Sequence, residues 1–178
     1  VSTIHSVSSN QEIHSKKPEL FFILDLPLPK RINTDPIISL YDCFDLFVEP
    51  ELLEGENAWL NEKTGQKEQV TKKMQFWNFP DILVVVLKRF SGHGLNKRQD
   101  LVDFPIDKLD LSKYVCGYNP TKYVYDLMGV CNHVGGVMGG HYTAFVKNSQ
   151  SEWIHFNDTQ HMKVDNQSNI VTPMAYCL

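Results

Sequence analysis

The sequence predicts an α+β fold, mostly antiparallel β-sheet with few short helices. Three observations carry that prediction. Residues 123–178 alternate short apolar stretches with glycine, asparagine and serine turns, the pattern of a strand meander. One stretch alone, Ile37, Leu40, Tyr41, Phe44 and Phe47, has helical spacing. Residues 82–87, Ile-Leu-Val-Val-Val-Leu, are apolar on both pleats, as a strand covered on both faces must be. A chain of 178 residues, 42% hydrophobic and 21% charged, is one domain able to bury a substantial core without disulfide or metal.

In order along the chain, residues 1–15 carry no aromatic residue and little apolar periodicity, which suits a flexible segment or a finger-like extension. Order is expected from about Leu20, where 20–26 reads as a strand ended by Pro27 and Pro29. Asp35-Pro36 supplies an N-cap and a first-turn proline for the amphipathic helix, which stops at Glu49-Pro50. Residues 57–69 are polar around Gly65 and suit a hairpin tip, and 82–87 is expected at the centre of the fold. Gly92, Gly94 and Asn96 mark 91–100 as a mobile surface loop, and 109–115 is expected to form one helical turn before Gly117. Strands are expected at 123–133, 141–147, 152–157, 162–164 and 175–178, with a glycine-rich loop at 134–140 and a turn at 148–151. There is no internal repeat.

Composition excludes several functions. The longest apolar run, 82–87, is far short of the ~20 residues that cross a bilayer. A net charge of −4 and a pI near 6.0 argue against nucleic-acid binding. The basic pairs Lys16-Lys17, Lys72-Lys73, Lys88-Arg89 and Lys97-Arg98 are scattered and read as solvated surface. Cys43, Cys116, Cys131 and Cys177 form no C-x-x-C pair, so all four are expected as small buried side chains in a reducing, intracellular compartment. The polar start at Val1 has no secretory pattern and reads as a cut boundary.

Chemistry concentrates around His141. Gly135, Gly136, Gly139 and Gly140 give the backbone beside it the freedom to approach a ligand closely. If Ser149-Gln150 is a two-residue turn, His141 faces Asp158 across the next hairpin, with Cβ atoms roughly 4.5–5.5 Å apart. That register groups His141, Thr143 and Phe145 with Ile154, Phe156 and Asp158 on one half-buried face. A three-residue turn shifts the pairing by one and makes Asn157 the diagonal same-face neighbour of His141. Either way the imidazole gains a hydrogen-bonding orienter, the base half of a Ser-His-Asp or Cys-His-Asn triad. The competing reading is an ordinary cross-strand polar pair. His133, His141 and His155 fit no common zinc spacing.

The segment Tyr125-Asp126-Leu127-Met128-Gly129-Val130-Cys131-Asn132-His133, then Gly139-Gly140-His141-Tyr142-Thr143-Ala144-Phe145-Val146-Lys147-Asn148, then Trp153-Ile154-His155-Phe156-Asn157-Asp158, closely resembles the histidine box of the ubiquitin-specific proteases. Upstream, Leu24-Asp25-Leu26-Pro27-Leu28-Pro29, Thr71-Lys72-Lys73, Phe79-Pro80-Asp81, Leu87-Lys88-Arg89-Phe90 and Val102-Asp103-Phe104-Pro105 resemble the same family. The resemblance implies part of a papain-like cysteine protease fold over 1–178, with fingers roughly 1–80 and palm roughly 81–178. It implies His141 as general base, Asn157 at the third triad position and Asp158 as the adjacent acid. Gly139, Gly140 and Tyr142 become substrate-binding residues, and the loops at 135–140 and 91–100 flank a groove for ubiquitin's C-terminal tail. Ubiquitin and ubiquitinated proteins are the implied partners, with no cofactor.

Two departures accompany the match. The family's nucleophilic cysteine sits in an N-terminal box with no counterpart here, so the sequence reads as the C-terminal part of a deubiquitinase, inactive alone, with a thumb segment supplied elsewhere. A noncatalytic ubiquitin-binding member is the alternative. Many members also hold zinc with two C-x-x-C pairs, whereas the matching positions here are Ser6, Ser9, Asn61 and Thr64. Hydroxyls and an amide cannot replace thiolates, and no metal is expected.

Overall fold

Pairing begins at the second residue, well before Leu20. In the computed structural model, which describes residues 1–7, 12–30, 37–91 and 96–178, strand β1 (Ser2–Ser6) forms a hairpin with β2 (Ile13–Lys17). Ser9, Asp35, Pro36, Gly92 and Gly94 lie outside the described residues. The strand expected over 20–26 shrinks to β3 (Leu24–Leu26), because only those residues find a partner strand; Leu20 and Phe22 are exposed. After β4 (Ile38–Ser39), helix α1 (Leu40–Val48) starts later than the sequence suggested. Ser39 caps it: its hydroxyl accepts from the Tyr41 N–H at 3.2 Å, and the Asp42 carboxylate accepts from the Ser39 N–H at 2.8 Å, a reciprocal capping box.

Strand β5 (Glu51–Leu53) precedes a ribbon of β6 (Trp59–Asn61) and β7 (Gln66–Glu68), the expected hairpin, with Gly65 at φ +69° in its turn. Strand β8 (Val70–Met74) completes a four-stranded antiparallel sheet in the order β2-β1-β8-β5. The absence of periodicity in 1–15 reflects this pairing: β1 is sandwiched between two polar strands and buries Ser2, Thr3 and Ile4.

The apolar run at 82–87 yields β9 (Val85–Leu87), with Val85 and Leu87 buried but Ile82 exposed. Short elements follow: β10 (Phe90–Ser91), β11 (Asn96–Lys97), β12 (Val102–Asp103), β13 (Leu109–Asp110), a 3-10 turn at Ser112–Tyr114, and β14 (Val124–Tyr125). The meander is β15 (Gly129–Gly136), β16 (Gly139–Lys147), β17 (Trp153–Asn157), β18 (Gln160–Lys163) and β19 (Ala175–Cys177). These join β9 and β3 in a seven-stranded sheet ordered β18-β17-β16-β15-β19-β9-β3. Strand β9 is therefore next to one edge, not central, and β15 and β16 hold the middle.

Apolar residues from the helix, the seven-stranded sheet and the segments beside them meet in one core. Phe76 stacks on Phe79 with centroids 4.5 Å apart, and Phe44 of α1 lies edge-on to both. Cys43 is fully buried as expected, and burial, with Asp42 adding to it, pushes its thiol up to about 12. The expectation fails for Cys116, which is exposed, and for Cys131 and Cys177, which are partly so. Cys116 turns outward because its N–H bonds the Phe76 carbonyl at 2.8 Å, just before Gly117 packs against the Trp77 backbone too closely for any Cβ.

Candidate active site

His141 stands two residues inside a tight β15–β16 hairpin. Pairing is continuous to Gly136 opposite Gly139, so the expected loop at 134–140 is strand on both sides of a two-residue turn, Val137-Met138. Glycine makes that closeness possible. A Cβ on Gly135 would lie 2.6 Å from the Gly140 Cα, and one on Gly140 would lie 2.3 Å from the His133 Nε2 and 2.5 Å from the Val134 carbonyl oxygen. Gly139 faces open space.

The next turn decides what faces His141. Asn148 pairs with Glu152 around a three-residue turn, with Ser151 at φ +63°. The Asn148 side-chain oxygen accepts from the Gln150 and Glu152 N–H groups, each at 2.9 Å. The two-residue register, with His141 opposite Asp158, is therefore not adopted. Ala144 faces Phe156 and Lys147 faces Trp153, which places Thr143 opposite Asn157. The inward side of β17 is thus Trp153, His155 and Asn157 rather than Ile154, Phe156 and Asp158. Trp153 drives the choice: burying its side chain is worth about 4–6 kcal/mol, more than the about 1–3 kcal/mol lost by leaving its Nε1 unpartnered.

In this register the His141 Nε2 meets the Asn157 Oδ1 at 2.7 Å. An amide oxygen only accepts, so Nε2 carries the proton and Nδ1 keeps its lone pair. Asp158 sits at φ +51° in the tight turn to Gln160, exposed and making no hydrogen bond to a described residue. The three histidines do not converge: His133 pairs with Tyr142 on the face opposite His141, and among the described residues no three His, Cys, Asp or Glu side chains cluster.

That opposite face holds an aromatic cluster that spacing did not announce. His133 is 3% exposed and lies 4.6 Å from the Tyr142 ring, with Phe90 and Tyr176 completing an aromatic cluster. Burial, then the Lys97 charge, holds its pKa below the ordinary imidazole value. Tyr142 itself is 55% exposed.

Three residues of the basic pairs, Arg89, Lys97 and Arg98, are anchors rather than solvated surface, whereas Lys88 is exposed as expected. Arg89 is fully buried and donates from Nε to the Ala175 carbonyl at 2.6 Å and from Nη1 to the Asp100 carbonyl at 2.8 Å. Arg98 donates to the Leu28 carbonyl at 2.7 Å, and Lys97 to the His133 carbonyl. Backbone carbonyls take most of these hydrogen bonds, with the Asp100 carboxylate pairing Arg98 Nε at 2.8 Å, so the positive charges alone could not reveal these roles. The flanking apolar residues Leu87 and Phe90 were the available signal.

A family model described as ubiquitin carboxyl-terminal hydrolase matches residues 2–178. The chain belongs to that family. Ubiquitin carboxyl-terminal hydrolase 9 of Arabidopsis thaliana is 43% identical over 144 residues, covering 79% of this chain and 16% of the relative. Ubiquitin carboxyl-terminal hydrolase 15 of Mus musculus is 40% identical over 153 residues, covering 84% and 15%. Among solved structures, the SAGA DUB module of Ubp8, Sgf11, Sus1 and Sgf73 bound to monoubiquitin matches with a TM-score of 0.79 at 28% identity, covering 99% of this chain and 38% of that one. The same module bound to ubiquitin aldehyde gives 0.78 at 26%, covering 99% and 39%. This hydrolase-family chain thus spans about a sixth of the length of these curated relatives.

Of the positions matched above to the zinc ligands of many family members, the three that are described, Ser6, Asn61 and Thr64, do not fit a metal. Asn61 Nδ2 and Thr64 Oγ1 donate to the same Glu68 oxygen at 2.9 and 3.0 Å, and the Ser6 hydroxyl accepts from the Glu12 N–H at 3.1 Å. These donor atoms are neutral and already engaged with the protein.

Proposed function

We propose that this chain carries the general base and the substrate cradle of a thiol deubiquitinase, an enzyme that hydrolyses isopeptide or peptide bonds after the ubiquitin C-terminus. The observation that carries the reading is the His141–Asn157 contact, which orients the imidazole and leaves Nδ1 free on an exposed hairpin. His141 Nδ1 takes the proton of a cysteine thiol and returns it to the leaving lysine amine, while Asn157 holds the ring through Nε2 as it becomes imidazolium. Gly139, open on its Cβ side, Gly140 and the exposed Tyr142 form the rim that an extended glycine-ended tail lies along. The four-stranded sheet and its ribbon serve as fingers, over roughly residues 1–80, and the seven-stranded sheet as palm, roughly 81–178. Ubiquitin rests on both, in an intracellular setting.

None of the four cysteines pairs with His141. That favours a nucleophile from a thumb segment outside these 178 residues, and it equally suits the second reading, a noncatalytic ubiquitin-binding member. Turnover of a ubiquitin–fluorophore conjugate distinguishes them. The full-length protein is expected to hydrolyse it, His141→Ala to lower kcat by several orders of magnitude, and the 178-residue chain alone to be inactive. Ubiquitin binding by a full-length protein without turnover would establish the second reading. Hydrolysis by the isolated chain that is lost on changing one of its cysteines would refute the need for an outside nucleophile.

A further inference from the structure

Cys131 and Cys177 are cross-strand neighbours. Strands β15 and β19 pair antiparallel with these residues directly opposite each other, and the register then shifts so that Tyr176 is the extra residue of a bulge. Directly opposed antiparallel residues have Cα atoms about 4.5–5.5 Å apart, inside the roughly 4.4–6.8 Å that a disulfide spans. Both thiols are free and neither is sealed in the core. The charge of a Cys131 thiolate adds to burial in raising the pKa of Cys177, and both thiolates act on the Tyr176 hydroxyl.

We propose that Cys131 and Cys177 are a redox modification site that a hydroperoxide converts to a reversible disulfide. The Cys131 thiolate attacks the O–O bond of hydrogen peroxide, becoming a sulfenic acid and releasing hydroxide, which takes up the thiol proton to give one water. The Cys177 thiolate then attacks the sulfenic sulfur, forming the S–S bond and expelling a second hydroxide, which takes up the other thiol proton. Two thiols lose two electrons and two protons, and the peroxide is reduced to two waters. Burial raises both thiols above their ordinary range, so the pair reacts slowly and answers to sustained oxidant. Once formed, the bond brackets the bulge and fixes Tyr176, whose ring lies 5.9 Å from His133 and 6.4 Å from Tyr142. Oxidation therefore stiffens the aromatic floor of the hairpin that bears His141. The site itself stands independently of the deubiquitinase reading.

The test is non-reducing peptide mass spectrometry of the purified protein after hydrogen peroxide, with remaining thiols alkylated in denaturant. The expected result is a cross-linked peptide pair containing Cys131 and Cys177, two hydrogens lighter than the separate peptides and abolished by dithiothreitol. Cys116→Ser should retain it, whereas Cys131→Ser and Cys177→Ser should lose it. Because wild-type protein shows the cross-link directly, a variant that fails to fold does not obscure the outcome. Oxidation of Cys116 while Cys131 and Cys177 remain alkylatable would overturn the proposal, as would sulfinic acid at either site without a cross-link.

Discussion

Replacing Asn157 by Ala removes the one hydrogen bond that orients His141, the 2.7 Å contact from Nε2 to Oδ1. On the proposed mechanism the loss is largest in the transition state, where the ring becomes a cation. Hydrogen bonds to charged groups contribute about 1.5–3 kcal/mol, so kcat/KM should fall by roughly 10- to 150-fold. Asp158 should behave differently, since it is exposed in the turn and makes no hydrogen bond to a described residue. Alanine there is a poor probe, because Asp158 sits at φ +51°, where a non-glycine residue without a short polar side chain is strained by about 1–2 kcal/mol. Asp158→Asn keeps the turn and removes only the charge. Its kcat/KM should stay within about twofold of wild type, on the same order as an exposed charge change. The assay is steady-state hydrolysis of a ubiquitin–fluorophore conjugate by the full-length protein, comparing both single variants and the Asn157→Ala/Asp158→Asn double variant. If Asp158→Asn loses as much as Asn157→Ala, the carboxylate and not the amide orients the imidazole. A double variant near wild-type kcat/KM would sink the triad assignment altogether.

Gly140→Ala should disrupt the hairpin, because its Cβ meets the Val134 carbonyl at 2.5 Å as well as the His133 ring, and backbone cannot step aside as a side chain can; a lower thermal midpoint together with lost turnover is expected, and unchanged values would show that the strands can part there. Glu68→Ala should leave Asn61 and Thr64 without their shared acceptor and speed amide exchange in the β6–β7 ribbon, while a zinc chelator leaves the thermal midpoint unmoved; stoichiometric zinc on elemental analysis would contradict the staple. Cys43 supplies a pH test: its thiol is raised from 9.0 to about 12, so between those values the folded state holds a proton that the unfolded state has lost. Stability should therefore fall as pH rises from 9 towards 12, and the slope should flatten in Cys43→Ala; an unchanged slope in urea titrations would place its origin elsewhere.

Much of the candidate site was legible in residue order. The glycines beside His141, the polar pair Asn157-Asp158 one hairpin later, and the long histidine box mark the strand pair that brings His141 to Asn157, because strand alternation and turn residues are local properties. Helix α1 was legible for the same reason, although its cap was misplaced: Ser39 and Asp35 are equally good caps by composition, and the reciprocal bond to Asp42 selects Ser39.

Local pattern could not choose between the two hairpin registers. Nothing about Ser149, Gln150 and Ser151 announces a left-handed serine, and both registers alternate acceptably along β17. The choice was made by distant packing that buries Trp153 and by the Asn148 side chain, and with it came the selection of Asn157 over Asp158. The burial of Arg89 was illegible on similar grounds, since a buried cation bonded through Nε and Nη1 to the carbonyls of residues 98, 100 and 175 looks like any surface arginine until those strands are assembled. Fold class and family follow from residue order alone. Which residue touches that histidine, which cysteines stand opposite each other, and which charges lie inside were decided only in the tertiary structure, because each depends on contacts between segments far apart in the chain, where burial and pairing across the whole sheet outweigh any local preference.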